Sequence, residues 1–487
     1  MERGKYAGSG GWPYGGPGST VPAAEVVAPK RRSRRRDAVV ASVVAVVVAA
    51  VTVLAWPAAS HGATKIPVSS TSASPAASSG GAGTSTAADS ARDTALVDLL
   101  AARAKALSSG DLAGWLAGVD PQQPALVAHQ RMLFTNLRTL PLADFGWTES
   151  DANPLGGYDV PATMSVGFVG ADATYSGAYV LHYRFRGYDS TDILDPYAPV
   201  FLRRAGTWLL AGDQTTTQGD TYKIEPWDHG LIAAGKGKHS LVIVSASDAK
   251  RLRGMVQQAD AAVGRVAAMW PSAWAGRVVV YDTRDASVFS GVLGVDVSAT
   301  DFGGVTTSMT GDVSTTRNDD LRVVVNSAYS PPGSSTLPAV LTHEFTHVAK
   351  WADVSGGTPI WAIEGIAEYT AFRGHPQDQR VTSKIGTDGR AGRLPKTLPR
   401  SSGFYSGATE QFDYGMAWLA FEYLKETYGE SKVRMLYERL AKITAPADSP
   451  AALKAERQAF QAVVHVSEAK FVSGLNHWIA QVIRPVR

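Results

Sequence analysis

Apolar and polar positions divide the chain into stretches of different character. Residues 1–29 are rich in Gly and Pro, with Tyr6, Trp12 and Tyr14 scattered among them, and carry no period on which a core could form. Residues 38–56 are uncharged, with Ser42 and Thr52 the only polar positions, which is long enough to cross a bilayer as a helix. Residues 57–92 turn to Ala, Ser, Thr, Gly and Pro, and between 69 and 90 only Asp89 lies outside that set, the composition of a flexible tether. From 93 to 225 helical spacing comes first, over 94–107, over 109–120 with Asp111 near the start, and over 122–140. Alternation of period two follows over 158–168, 171–186 and 198–213, broken by Gly and Asp turn signals.

From residue 226 the two periods mix. Strands are predicted at 240–245, 277–282 and 321–326 (LRVVVN), with a long helix over 248–270 and a short one opening at 286–289. Amphipathic helices are predicted at 412–429, stopped by Gly429, and at 432–443, 450–464 and 467–482. Residues 373–403 are polar, Gly/Arg/Pro-rich and unpatterned, and read as a loop or a lid. The expected fold class is α+β: one N-terminal transmembrane helix (38–56), a small α+β domain (93–225), and a larger domain (226–487) of mixed sheet and helices with a C-terminal helical subdomain.

Charge changes the reading of the N-terminus. The net charge is +3, but residues 1–37 hold eight of the 47 Lys and Arg against three of the 44 Asp and Glu, so the remainder is slightly acidic. Six positive charges fall within residues 30–36, directly before the apolar run, which places the tail 1–37 in the cytoplasm and the rest outside the membrane. A cleaved signal peptide is the competing reading, with small residues at 58–63 to cut. The apolar stretch is longer than a signal core and the preceding segment far too long. Without a basic face on the remainder, no nucleic-acid partner is expected. The chain has no cysteine, which excludes thiolate metal sites and disulfides.

The densest chemistry lies in residues 335–370, STLPAVLTHEFTHVAKWADVSGGTPIWAIEGIAEYT. Ser334, Ser335 and Thr336 offer capping oxygens, Pro338 falls in a first turn, and Leu337, Val340, Leu341, Phe345 and Val348 recur at helical spacing. HEFTH therefore sits on a helix, with His343 and His347 one turn apart on one face, able to grip a single metal ion. Glu344 is turned from that pair and is placed to act as a base. Gly356 and Gly357 end the first helix region, and a second helix, capped by Thr358 with Pro359 in its first turn, carries Glu364 and Glu368 four apart. Glu364 is the expected third ligand of one zinc ion per chain, and Glu368 the acceptor for the free ring N–H of a ligand histidine. Asp353 is a lesser alternative ligand: six residues after His347 it has a suitable spacing, but Lys350 stands where the chain would need a Gly to turn back.

HEFTH followed by WAIEGIAEY resembles the gluzincin metallopeptidases, the thermolysin-like and aminopeptidase N-like enzymes, and especially the peptidase MA-like domains of bacteria. The resemblance implies peptide-bond hydrolysis, with Glu364 as zinc ligand and Glu368 behind the ligands. Residues 348–363 between His347 and Glu364 form a slightly shorter spacer than in the best-known members. The strand before the zinc helix, here 321–326, would by that resemblance be the sheet edge that pairs with extended substrate, with an ordinary internal strand as the equal alternative. Tyr414, at the head of a downstream apolar helix, matches the tyrosine that stabilises the oxyanion. The GAMEN segment of aminopeptidases is absent from the corresponding FGGVTTSMTGDVSTTRNDD, which favours an endopeptidase.

Residues 93–225 bear a pattern-level resemblance to the nuclear transport factor 2-like cone fold, which often holds a small ligand or packs against a protein partner. His182, Arg184 and Arg186 alternate along one strand and would line either a pocket or an exposed sheet face. The whole chain thus reads as a membrane-anchored extracytoplasmic zinc metallopeptidase acting on peptides or proteins. The alternative is a catalytically silent tethered ligand-binding or scaffold protein with a structural zinc.

Overall fold

A computed structural model describes residues 87–149, 168–177, 179–213, 225–271, 274–293, 303–309, 320–328, 336–374, 384–405 and 409–483. The expected cytoplasmic tail, membrane span, most of the tether and the strand over 158–168 lie outside the described residues. No helix among the described residues is long and apolar enough to cross a membrane. The architecture is mixed α+β.

Three helices open it: α1 (Ala87–Ser109), α2 (Leu112–Ala117) and α3 (Pro124–Thr139). The first starts inside the expected tether and absorbs its last six residues. Ala87, Ala88 and Ala91 are strong helix formers, Arg92 bonds to Asp89 and Asp93, and its guanidinium lies 4.1 Å from the centre of the Tyr175 ring. Asp111 caps α2 by accepting from the Gly114 N–H.

Six strands follow: β1 (Leu142–Glu149), β2 (Ala173–Ser176), β3 (Tyr179–Phe185), β4 (Ile193–Tyr197), β5 (Val200–Arg204) and β6 (Thr207–Gly212). They form two antiparallel three-stranded sheets, ordered β1–β3–β4 and β2–β5–β6. The single strand expected over 171–186 is thus two, in different sheets, and β1 and β4 carry alternation too short or too irregular to stand out.

The larger sheet has five strands: β7 (Ile232–Lys236), β8 (Ser240–Ser245), β9 (Val278–Thr283), β10 (Gly304–Ser308) and β11 (Leu321–Asn326), in the order β10–β11–β9–β8–β7. β8, β9 and β11 run parallel, and β7 and β10 close the two edges antiparallel. The expectation that residues 321–326 are the free edge is therefore corrected: β11 pairs on both sides, and β10 holds the edge. A strand buried on all six residues reads as an uninterrupted apolar run and gives no sign of its place in the sheet.

Alternation along this sheet sends side chains to two different cores. Val242, Val244, Val278, Val280, Val323 and Val325 face the helices α4 (Leu252–Met269) and α6 (Thr336–Lys350), the latter through Leu337, Leu341, Phe345 and Val348. Leu241, Ile243, Val279, Tyr281 and Val324 face the other way, onto Phe134, Tyr183, Phe185 and Trp227 and the short helix α5 (Ala286–Leu293). The N-terminal α+β unit therefore covers one face of the large sheet. Buried polar links tie them: Arg322 to Asp189 at 3.0 Å, the Tyr281 hydroxyl to Glu225 Oε2 at 3.3 Å, and Asn136 Nδ2 to the carbonyls of Trp227 and Gly230. Residue 226 marks a change in sequence pattern but not a break in packing.

Helices complete the fold: α7 (Ile360–Phe372), α8 (Lys384–Arg390), α9 (Glu410–Tyr428), α10 (Glu430–Leu440), α11 (Pro450–Val464) and α12 (Glu468–Val482). α7 is buried over almost its whole length and packs on α9 so closely that a Cβ at Gly365 would lie 2.6 Å from the Ala417 carbonyl oxygen. Part of the segment expected to be a loop or lid is docked instead, because Arg390 Nη1 donates to the Ile483 carbonyl at the end of α12.

Candidate metal centre and catalytic cleft

The helix α6 is held before any ligand is considered. Its apolar stripe is seated on the sheet, Phe345 fully buried, a side chain whose truncation to Ala typically costs about 3–5 kcal/mol. From α4, Arg265 donates to Thr342 Oγ1 at 2.8 Å and to the Pro338 carbonyl at 3.0 Å. The expected caps Ser334 and Ser335 lie outside the described residues, and Thr336 is the first residue of the helix. α7 begins one residue later than the sequence suggests: Pro359 is its N-cap, and Thr358 is engaged elsewhere, donating to the Ala441 carbonyl.

These two helices bring His343, His347 and Glu364 together. The two Nε2 atoms lie 3.0 Å apart, and Glu364 Oε2 lies 3.2 Å from His343 Nε2 and 3.6 Å from His347 Nε2. Donors about 2.0–2.2 Å from one ion stand about 3.3–3.6 Å apart at the ideal tetrahedral angle; separations of 3.0, 3.2 and 3.6 Å lie at or slightly under that range, compact enough for a zinc-sized cation. Among the described residues these three form a buried group able to hold a metal ion, and Glu364 Oε2 is itself buried without a hydrogen-bond donor. A carboxylate oxygen facing two imidazole nitrogens in this way is the polarity a cation would satisfy.

Outer contacts aim these donors. Glu368 Oε1 lies 2.9 Å from His343 Nδ1, which leaves Nε2 facing inward. Burial works to lower the pKa of the His343 imidazole, but the close approach of the Glu364 and Glu368 carboxylates and the charge of Glu344 outweigh it and push it well up. For Glu364, burial works upward, and the His347 and His343 rings overcome it, so its carboxyl is held below the ordinary range. Both shifts have one cause, the attraction between the Glu364 carboxylate and the imidazoles it faces.

Glu344 stands beside this triangle, its side chain buried in the same cleft. Thr306 on the edge strand β10 donates to Glu344 Oε2 at 2.8 Å. The strand approaches closely: a Cβ at Gly304 would come within 3.0 Å of Glu344 Cγ and Val340 Cγ1. Tyr414, at the start of α9, has its ring centre 6.3 Å from that of His343 and is packed edge-on against Phe404. Burial, then the charge of Glu364, raises its phenol well above the ordinary value, keeping it a hydrogen-bond donor.

Two residues of the cleft escape sequence reading. Thr306 is one of several hydroxyls in GVTTS, and nothing local marks the one that meets Glu344. Tyr405 donates to Glu364 Oε1 at 2.6 Å from a turn rather than a helix, where no period exists to reveal it. Asp353 does not join the metal group: it ends a short 3-10 turn, half exposed and paired with Lys350. His182, Arg184 and Arg186 lie far in the sequence from the cleft on β3 and the turn after it, where His182 bonds to Asp144 and Arg184 to Asp192. The chain matches no protein-family model and no curated protein.

Proposed function

We propose that this chain is a zinc-dependent metallopeptidase, anchored in the membrane by residues 38–56 with its catalytic part outside the cytoplasm, and that it cuts peptide chains internally. The observation that carries the reading is the His343, His347, Glu364 triangle with the Glu344 carboxylate in the same cleft. The resemblance of HEFTH and EGIAEY to gluzincin peptidases supports it, as does the placement of an antiparallel edge strand, β10, along that cleft.

His343 and His347 through Nε2, and Glu364 through Oε2, would hold one zinc ion. When bound, zinc supplies Lewis acidity, lowering the pKa of water toward neutrality and polarising a carbonyl. Glu344 accepts the proton of the attacking water and returns it to the leaving amine, a role in which a positioned carboxylate typically contributes about 10²–10⁴-fold. Thr306 steers that carboxylate by its hydrogen bond. Tyr414 donates to the oxyanion that develops on the substrate, a contribution of about 3 kcal/mol for a well-placed donor. The side of β10 that pairs with no strand among the described residues offers backbone groups to an extended substrate, as an added strand. The absence of a GAMEN segment leaves nothing assigned to grip a free amino terminus, which favours internal cleavage.

The experiment is metal analysis and peptide cleavage on the full-length chain purified in detergent without added metal. One zinc per chain, with cleavage of a mixed peptide pool lost on chelation and restored by zinc, is expected. Zinc bound without cleavage would move the assignment to a silent tethered binding protein, and no zinc would remove the site.

A further inference from the structure

The two oxygens of Glu364 are treated differently. Oε2 faces the imidazole nitrogens and has no hydrogen-bond donor. Oε1 points the other way and accepts the Tyr405 hydroxyl at 2.6 Å. Tyr405 is fixed in turn, its ring edge-on to Phe404 with centres 5.2 Å apart and to Tyr414 at 6.3 Å. Tyr414, nine residues on, lines the same cleft, but its hydroxyl makes no hydrogen bond among the described residues.

The geometry points to Tyr405 as a positioning residue that holds Glu364 by Oε1, so that the carboxylate presents Oε2 alone to the cation. This rests on the zinc reading above and divides the labour between two neighbouring tyrosines. Tyr405 sets the ligand, whereas Tyr414 remains for the substrate. A carboxylate tethered at one oxygen cannot swing to grip the ion with both, which would take up the position that water and substrate share.

The test compares Tyr405→Phe and Tyr414→Phe in the full-length chain. Zinc affinity is measured by competition with a chromophoric chelator, and the visible absorption of the cobalt-substituted protein reports ligand geometry. Tyr405→Phe is expected to weaken zinc by about 10–100-fold, the usual effect of losing a hydrogen bond to a ligand, and to change the cobalt spectrum. Tyr414→Phe is expected to leave both within twofold and to lower kcat. In a Glu364→Ala background, Tyr405→Phe should no longer alter the residual affinity, which separates positioning from a general loss of fold. Parental affinity and an unchanged cobalt spectrum in Tyr405→Phe, or a loss confined to kcat, would overturn the inference while leaving the peptidase reading intact. A parent chain that binds no zinc would sink both.

Discussion

Two clusters among the described residues bring together donors that could hold an ion, and their surroundings differ. His343, His347 and Glu364 have side chains 12%, 17% and 6% exposed. Asp144, His182 and Asp192 also bring three ligand atoms together, but across β1, β3 and the approach to β4, with the Asp192 side chain 39% exposed. In the first cluster the spare atoms are used outward, His343 Nδ1 on Glu368 and Glu364 Oε1 on Tyr405, which leaves the inward atoms for a cation. In the second, His182 Nδ1 is spent on Asp144 at 2.7 Å, and Arg184 already supplies positive charge to Asp192 at 3.4 Å. The difference teaches that proximity of donors is not what makes a site. Burial and outer hydrogen bonds that turn the lone pairs inward make it.

Breaking the first cluster should have the largest effect. His347→Ala removes one of three ligands and should abolish both stoichiometric zinc, measured by elemental analysis after gel filtration, and all chelator-sensitive cleavage. Glu368→Gln keeps every ligand and loosens one, so zinc affinity should drop by about 10–100-fold in a competition titration. Parental affinity in that variant would mean the outer contacts are ornamental.

Burial around the first cluster also has a pH signature. Glu456 accepts from the Trp361 indole at 2.7 Å, beneath the helix that carries Glu364, and burial followed by the charge of Glu468 raises its carboxyl to about 7. The folded chain thus holds a proton that the unfolded chain releases, between the ordinary glutamate range and about pH 7, so stability should fall as pH rises through that window. Glu456→Gln has nothing to titrate there and should flatten the dependence, gaining on the order of 1 kcal/mol at pH 8 over the parent in denaturant titrations. An unchanged slope between pH 5 and 8 would refute the assignment. The smallest effect belongs to the second cluster: His182→Ala with Asp144→Asn should leave zinc at one per chain, since His182 and Asp192 there already have partners in Asp144 and Arg184.

The sequence and the structure agree unevenly, for physical reasons. HEFTH and EGIAEY were legible because a helix turns a four-residue spacing into a shared face, and the helix pair needs nothing distant to place its donors. Downstream helices were legible for the same reason, α11 over the predicted residues 450–464. Strand pairing is different. Residues 321–326 announce a buried strand, yet whether that strand is an edge depends on residues 304–308 folding back beside it, and no local pattern records that partner. Thr306 and Tyr405 were hidden likewise, since each acts across a chain separation that only tertiary packing closes. The packing between the N-terminal unit and the large sheet was hidden too: the change of pattern near residue 225 is local, whereas Arg322, Tyr281 and Asn136 bury polar links across it from distant positions.

The central claim is that Glu344 acts as the base at a zinc site built by three other residues. Glu344→Gln in the full-length chain, with zinc content and peptide cleavage measured side by side with the parent, tests it most directly. The account predicts one zinc per chain in both proteins and cleavage slowed by about 10²–10⁴-fold in the variant. Cleavage at the parental rate by a variant that retains its zinc would contradict it.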